Sequence, residues 1–197
     1  MGLTFPCSRF KNDRMKSLFI HVGCLAVATF IVSTPRFLRA ADPAADFVEH
    51  ISALTNSKQG VPLKLKNSDA ATTKATFKPP VEIVIEAKTN STNLRMSYAA
   101  DDVIFNWENN KNQLRIDGGP ASGKHKSGAG LIPINKYVTV RWLVTPKKQS
   151  IFVDGQLRFE DAGDYSMIDN PVSVFPAASS EVTVKSIKVK QLPAATQ

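Results

Sequence analysis

From residue 81 onward, apolar and polar residues alternate with period two in one segment after another. Val81, Ile83, Ile85 and Ala87 alternate with Glu82, Val84, Glu86 and Lys88. Leu94, Met96 and Tyr98 alternate with Arg95 and Ser97. Val103, Phe105 and Trp107 alternate with Ile104, Asn106 and Glu108, and Leu114 and Ile116 with Arg115 and Asp117. Side chains along a strand point to opposite faces in turn, so each segment predicts a half-buried strand with its apolar set inward. The clearest stretch is residues 137–161, YVTVRWLVTPKKQSIFVDGQLRFED. There Val138, Val140, Trp142 and Val144 form one face, Thr145-Pro146-Lys147-Lys148-Gln149 turns the chain, and Asp154-Gly155 turns it again: a β-meander. The closing run, residues 181–192, places Val182, Val184, Ile187, Val189 and Leu192 inward. Its step from 184 to 187 breaks the period and predicts a bulge near Lys185-Ser186. Short strands separated by turn signals at intervals of about ten residues predict an all-β sandwich or barrel.

Upstream the signal changes. Phe47, Ile51 and Leu54 fall at helical spacing and predict a short amphipathic helix over residues 46–54, followed by a polar connector at 67–73. Arg9, Lys11, Arg14 and Lys16 precede the sixteen-residue apolar run 17–32, and Leu38-Arg39-Ala40-Ala41 offers an imperfect small-residue cleavage site. The run is shorter than the roughly 20 residues that span a bilayer. Residues 1–40 therefore read as a signal peptide, with an uncleaved anchor as the alternative, and the remainder as secreted or periplasmic. His21 stands where a lipobox wants leucine, so Cys24 is not a lipid-attachment site. The expected organisation is a lead-in over 41–74, one sandwich over 75–192 and a tail over 193–197.

The leader alters what the charge implies. The chain carries 25 Lys and Arg against 17 Asp and Glu, but residues 41–197 carry 19 against 16, a surplus of three. That is too little to argue for DNA or RNA as a partner; membrane contact is expected only through an uncleaved leader. Both cysteines, Cys7 and Cys24, lie in the leader. Residues 41–197 therefore have no disulfide, thiolate metal site or cysteine nucleophile. A chain of about 150 residues can instead stand on its own core.

The wording of the meander resembles the concanavalin A-like lectin/glucanase superfamily, with laminin-G-like and pentraxin-like modules nearest. Val140-Arg141-Trp142-Leu143-Val144 takes the place of a W-x-x-V-like strand, and Ile151-Phe152-Val153-Asp154-Gly155-Gln156-Leu157 that of its I-x-V-D-G-x-L partner. Secreted jelly-roll domains that act on keto-disaccharides are similar in the same places. The resemblance covers residues 75–192 and implies a two-sheet antiparallel jelly-roll sandwich with a glycan or protein site on one sheet. The fold hosts lectins, glycosidases and spacers alike, so it implies no activity by itself.

Candidate chemistry is sparse. The glucanases of this fold use E-x-D-x-E-type runs, and a retaining pair needs carboxyl groups roughly 5–5.5 Å apart. No such run occurs here, and Glu82 and Glu86 stand roughly 13 Å apart along a strand at about 3.3 Å per residue. Residues 118–124, GGPASGK, satisfy G-x-x-x-x-G-K, but His125 replaces the hydroxyl that would reach magnesium and no apolar helix follows. A flexible cationic surface loop around Lys124, His125 and Lys126 is the better reading. His50 and His125 are too far apart in sequence to give ligand spacing for zinc. Calcium is the metal the loops would favour, at Asp101 and Asp102; a turn-initiating Asp pair is the plainer reading. Trp107, Trp142 and Tyr98 share faces with apolar neighbours and read as core. Asn90-Ser91-Thr92 is an N-glycosylation sequon.

The opposite faces carry the candidate ligand site. Asn106, Glu108, Arg115, Arg141, Arg95 and Glu86 would share a polar sheet surface if their strands neighbour one another, and such groups form paired hydrogen bonds to vicinal hydroxyls. A solvated face laced with ion pairs is the plain alternative. The expectation is a non-catalytic module binding a glycan or cell-surface ligand. The alternatives are a sugar-cleaving enzyme using Glu108 or Glu86 with His125 or Arg141, and an adhesive protein-binding module.

Overall fold

The computed structural model describes residues 47–51, 61–177 and 179–193, all within residues 41–197. The leader, both cysteines and Leu54 lie outside them. Among the described residues, thirteen strands form two antiparallel sheets. The seven-stranded sheet runs β1 (Val48–Glu49), β13 (Glu181–Gln191), β4 (Val81–Thr89), β9 (Val138–Thr145), β10 (Lys148–Val153) and β11 (Gln156–Ala162), with β2 (Leu63–Lys66) also paired to β13. The six-stranded sheet runs β3 (Ala71–Thr72), β12 (Ser173–Phe175), β5 (Leu94–Ser97), β6 (Asp102–Phe105), β7 (Gln113–Asp117) and β8 (Lys126–Ser127). The expected all-β jelly-roll sandwich is what the chain forms.

Period-two alternation decides which side chains are dry. Val81, Ile83, Ile85 and Ala87 of β4, Val138, Val140, Trp142 and Val144 of β9, and Val182, Val184, Ile187 and Val189 of β13 are buried. They face Leu94, Met96, Val103, Phe105, Leu114, Ile116 and Val174 of the other sheet in one hydrophobic core. Tyr98 meets Trp142 edge-on, ring centroids 6.0 Å apart at 90°, and the Trp142 indole N–H donates to Gln149 Oε1 at 2.9 Å. A buried tryptophan needs such a partner. The bulge expected in the closing strand is present between Val184 and Ser186, and Asp154-Gly155 turns with φ of 49° and 79°, the paired left-handed geometry of a two-residue hairpin.

Two segments depart from the sequence reading. Part of the expected helix over residues 46–54 is strand: Val48 and Glu49 pair with Val189 and Lys188. The Glu49 carboxylate also accepts the backbone N–H of Ile51 and of Ile187, at 2.9 and 3.0 Å. An edge partner with unpaired backbone groups outweighed the weak helical spacing. The lead-in also supplies β2 to one sheet and β3 to the other; β3 is too short to show alternation, whereas β2 alternates, with Leu63 and Leu65 buried and Lys64 and Lys66 exposed.

The second departure shapes the outer surface. β6 ends at Phe105, and Asn106 takes φ = 51°, a left-handed conformation that asparagine tolerates better than most residues. Asn106 is fully buried. Its Nδ2 donates to the Ile132 carbonyl at 3.0 Å and its Oδ1 accepts the Ile132 N–H at 2.9 Å. The reversal breaks the alternation, so Trp107 leaves the face of Val103 and Phe105. Expected in the core, Trp107 is half-buried on the outside.

Asn106→Ala removes both bonds, strands the Ile132 backbone and strains the turn. It should cost about 2–4 kcal/mol, read as a lower urea midpoint at unchanged m-value. Asn106→Gly keeps the backbone freedom and should lose less.

Candidate functional site

The outer face of the six-stranded sheet gathers most of the polar chemistry. Strands β5, β6 and β7 pair so that Arg95, Ile104 and Arg115 lie in one row and Asp102 opposite Asp117 in the next. Alternation sends these side chains outward because Leu94, Met96, Val103, Leu114 and Ile116 go in. Ile104 is the exception among them, an apolar side chain on an outward row. With an arginine on each side and Trp107 beyond, it is only 2% exposed.

Arg95 is held from three directions. Its Nε and Nη2 donate to Asn93 Oδ1 at 3.3 and 3.2 Å. Its Nη1 lies 3.8 Å from Asp102 Oδ2, and its Nη2 3.6 Å from Glu108 Oε1. Asn93 is buried and left-handed, φ 54°, so the guanidinium has a rigid anchor. Arg115 pairs through Nε with Asp117, and its guanidinium carbon stands 4.5 Å from the Trp107 ring centroid. That separation is a cation–π stack. His125 Nδ1 accepts the Ile116 N–H at 3.1 Å, so the neutral ring carries its proton on Nε2, 3.9 Å from Asp117 Oδ1. Beyond Asp102 the surface opens into a cleft of about 270 Å³ lined by Ser97, Tyr98, Ala100, Asp101, Asn170 and Pro171. Asn170 is fixed there by its Nδ2 bond to the Tyr98 carbonyl at 2.9 Å.

Of the six candidate ligand residues, Arg95, Glu108 and Arg115 come together here. Asn106 sits beneath them and is occupied by Ile132, so it has no group to offer a ligand. Arg141 and Glu86 lie on the other sheet, on β9 and β4, and cannot share this surface. Arg141 pairs with Glu82 and lies 5.0 Å from the Phe152 ring; Glu86 pairs with Lys185 at 2.8 Å. The hydrophobic pattern assigns faces within a strand but does not say which strands share a sheet. Trp107, Asp117, Ser97 and the Asn170 cleft were absent from the sequence reading of the site. The signal that could have found Trp107 is the Asn at 106, a residue prone to the left-handed turn that reverses a strand's faces.

The Asp101-Asp102 pair does not fit a calcium site. Calcium takes six to eight oxygens, and among the described residues no cluster of three or more His, Cys, Asp or Glu side chains could hold a metal. Asp102 Oδ2 faces Arg95, with Arg115 also near enough to act on the carboxyl. Asp101 packs against Gly118, where a Cβ would fall 2.1 Å from its Oδ2 and φ is 72°. Two guanidinium groups act on the Asp102 carboxylate and repel a cation there. The Gly118–Lys124 loop, read as a flexible lip, is anchored: Ala121 is buried, and Lys124 Nζ reaches Asp161 Oδ1 at 2.6 Å. Burial alone would raise the Asp161 pKa, but bonds from Lys124 and Tyr165 hold it below the ordinary range.

Asp102 is the perturbed acid of this face. Partial burial raises its pKa above 3.8, Arg95 opposes the shift, and Asp117 and Asp101 reinforce it. Its Oδ1 is buried without a partner.

Two sheets in this order, with the polar array on the outer face of the smaller one, can be matched to solved structures. Bacillus licheniformis β-glucanase superposes with a TM-score of 0.50 at 11% identity, over 66% of this chain and 78% of that chain. The VIP36 exoplasmic/lumenal domain in its Ca2+/Man-bound form gives 0.52 at 8% identity, over 77% and 84%. Its Ca2+/Man3GlcNAc-bound form gives 0.53 at 10%, over 77% and 85%. The fold is the concanavalin A-like jelly roll. At these identities the likeness extends to the fold alone. No protein-family model and no curated protein matches the sequence.

A carboxyl with a raised folded pKa binds protons more readily folded than unfolded. Stability gained by protonating Asp102 is therefore present at low pH and lost as pH rises through its raised pKa. Asp102→Asn should melt no lower than the parent at pH 7, and its stability should change less with pH through that acid window. Thermal melts from pH 3 to 7 check both.

Proposed function

We propose that the outer face of the six-stranded sheet binds carbohydrate without cleaving it. The observation that carries this reading is the Trp107–Arg115 stack beside a guanidinium, Arg95, fixed between Asn93, Asp102 and Glu108. An indole offers an apolar platform for the C–H face of a sugar ring. A planar guanidinium flanked by carboxylates supplies paired donors and acceptors for vicinal hydroxyls. The cleft at Ser97, Asp101 and Asn170 continues the same surface and gives room for a further sugar unit. The VIP36 domain, which shares this fold and holds Man or Man3GlcNAc in its bound forms, supports carbohydrate as the ligand class. The leader-like residues 1–40 support an exported location, where glycans are met.

One observation favours a second reading, hydrolysis. Asp102 is half-buried beside the cleft, with one oxygen unpartnered and its pKa pushed upward, the condition of a general acid. Asp117, directly opposite in the ladder, would then be the second carboxyl.

Full-length protein screened against a glycan and polysaccharide panel, with and without chelator, separates these readings. Binding without new reducing ends, weakened about tenfold or more in Trp107→Ala and in Arg95→Ala at little changed melting temperature, is the expected result. Arg141→Ala, on the opposite sheet, should bind as the parent does. Release of reducing sugar that Asp102→Asn abolishes would install the hydrolase reading. No binding by folded protein, or equal binding by both variants, would overturn the proposal.

A further inference from the structure

The opposite side of the sandwich has a different electrostatic character. On the outward positions of β2, β13 and β4 stand six lysines, Lys64, Lys66, Lys88, Lys185, Lys188 and Lys190, against three glutamates, Glu82, Glu86 and Glu181. That excess of three equals the whole surplus of residues 41–197, 19 basic against 16 acidic. The rest of the unit is therefore neutral in sum, while the outward positions of these three neighbouring strands carry an excess of three positive charges.

The register makes the lysines a continuous field. Lys64 and Lys88 both pair with Thr183, one from each side, which sets their backbones about 10 Å apart across two strand spacings. Lys185, Lys188 and Lys190 extend the field along β13 for roughly 16 Å at about 3.3 Å per residue. The carboxylates do not neutralise it evenly. Glu181 pairs with Lys66 at 2.9 Å, Glu86 with Lys185 and Glu82 with Arg141 of β9. Among the described residues, Lys64, Lys88 and Lys188 have no carboxylate within ion-pairing distance. Glu181 is held below the ordinary glutamate range, first by the Lys66 hydrogen bond and then by the charges of Lys66, Lys64 and Lys88, against desolvation.

We propose that this lysine face docks a linear acidic polysaccharide, one carrying sulfate or carboxylate groups, independently of the opposite face. Charge complementarity selects a polyanion, and the shape of the surface selects among polyanions. Lysine ammonium groups lie over two aromatic rings here. Lys88 and Lys185 stand 5.0 and 5.8 Å over Tyr137, and Lys190 stands 5.8 Å over Phe47. Those ammonium groups compete with a base for the same ring faces, and the exposed apolar side chains near them, Val48 and Tyr137, stand singly rather than as a wedge that enters a bilayer. Among the described residues no helix projects to enter a duplex groove. What remains is a pleated surface of separated ammonium groups with the hydroxyls of Thr139 and Ser186 between them, matched to a chain of spaced anions and sugar hydroxyls.

Full-length protein is titrated with heparin, polygalacturonate and neutral dextran, and in parallel with phosphatidylglycerol vesicles and duplex DNA. Heparin or polygalacturonate should bind and dextran should not, with affinity falling as salt rises. Which of the two binds better distinguishes sulfate from carboxylate recognition. The triple variant Lys64→Gln/Lys88→Gln/Lys188→Gln should bind about tenfold or more weakly, and the triple Lys→Arg variant nearly as well as the parent. Trp107→Ala, on the other face, should leave polyanion binding intact, so failure of either proposal is visible without the other. Absence of polysaccharide binding, equal binding by the Lys→Gln variant, or preference for vesicles or DNA would each overturn the inference.

Discussion

Each sheet has one dry face, and once the register of a strand is set its side chains have no choice of side. β4 shows the constraint most fully. Nine residues alternate buried and half-buried without interruption, and strands on both sides, β13 and β9, keep pace through long ladders. With Trp142, Ile83 and Ile85 committed inward, Glu82, Glu86, Arg141 and Lys188 are forced out. The two outer faces are therefore by-products of core formation, and their chemistry is what each strand had left to present. On the smaller sheet that remainder is an arginine–carboxylate array with a tryptophan; on the larger it is a lysine field.

The array depends on one interruption of the rule. Had β6 continued in strict alternation, Trp107 would have joined Phe105 in the core and Arg115 would have had no ring beneath it. Asn106 prevents this by turning left-handed while sinking its amide between the N–H and C=O of Ile132. A buried polar side chain with both ends satisfied is a stable hinge point. It also joins the site to the loop before β9, since Ile132 belongs to that segment.

The meander over residues 137–161, the closing strand with its bulge and the β5–β7 faces were legible because each shows its alternation in the sequence. The strands β1 and β3 were not, since two residues carry no period and are recruited by partners far along the chain, and the alternating Leu63-Lys64-Leu65-Lys66 of β2 was passed over as lead-in. The candidate site was legible in part for the same reason. Arg95, Glu108 and Arg115 could be named as outward and polar, but Arg141 and Glu86 could not be separated from them, because neighbourhood between strands is a tertiary fact. Asn106 misled twice, as a ligand group it is too buried to be and as a silent reversal that moved Trp107 outside. Asp102 was singled out for charge, but the guanidinium groups that claim it come from β5 and β7.

The chain has two tryptophans, and the fold gives them opposite fates: Trp142 sealed between the sheets, Trp107 on the outer face of the smaller one. Tryptophan emission, measured with acrylamide quenching in the presence and absence of a glycan from the panel, tests this directly. One quenchable component should be protected by the glycan, and Trp107→Phe should abolish both that component and its response. Glycan binding that leaves the quenchable component untouched, or a Trp107→Phe variant that still shows it, would contradict the placement of the site.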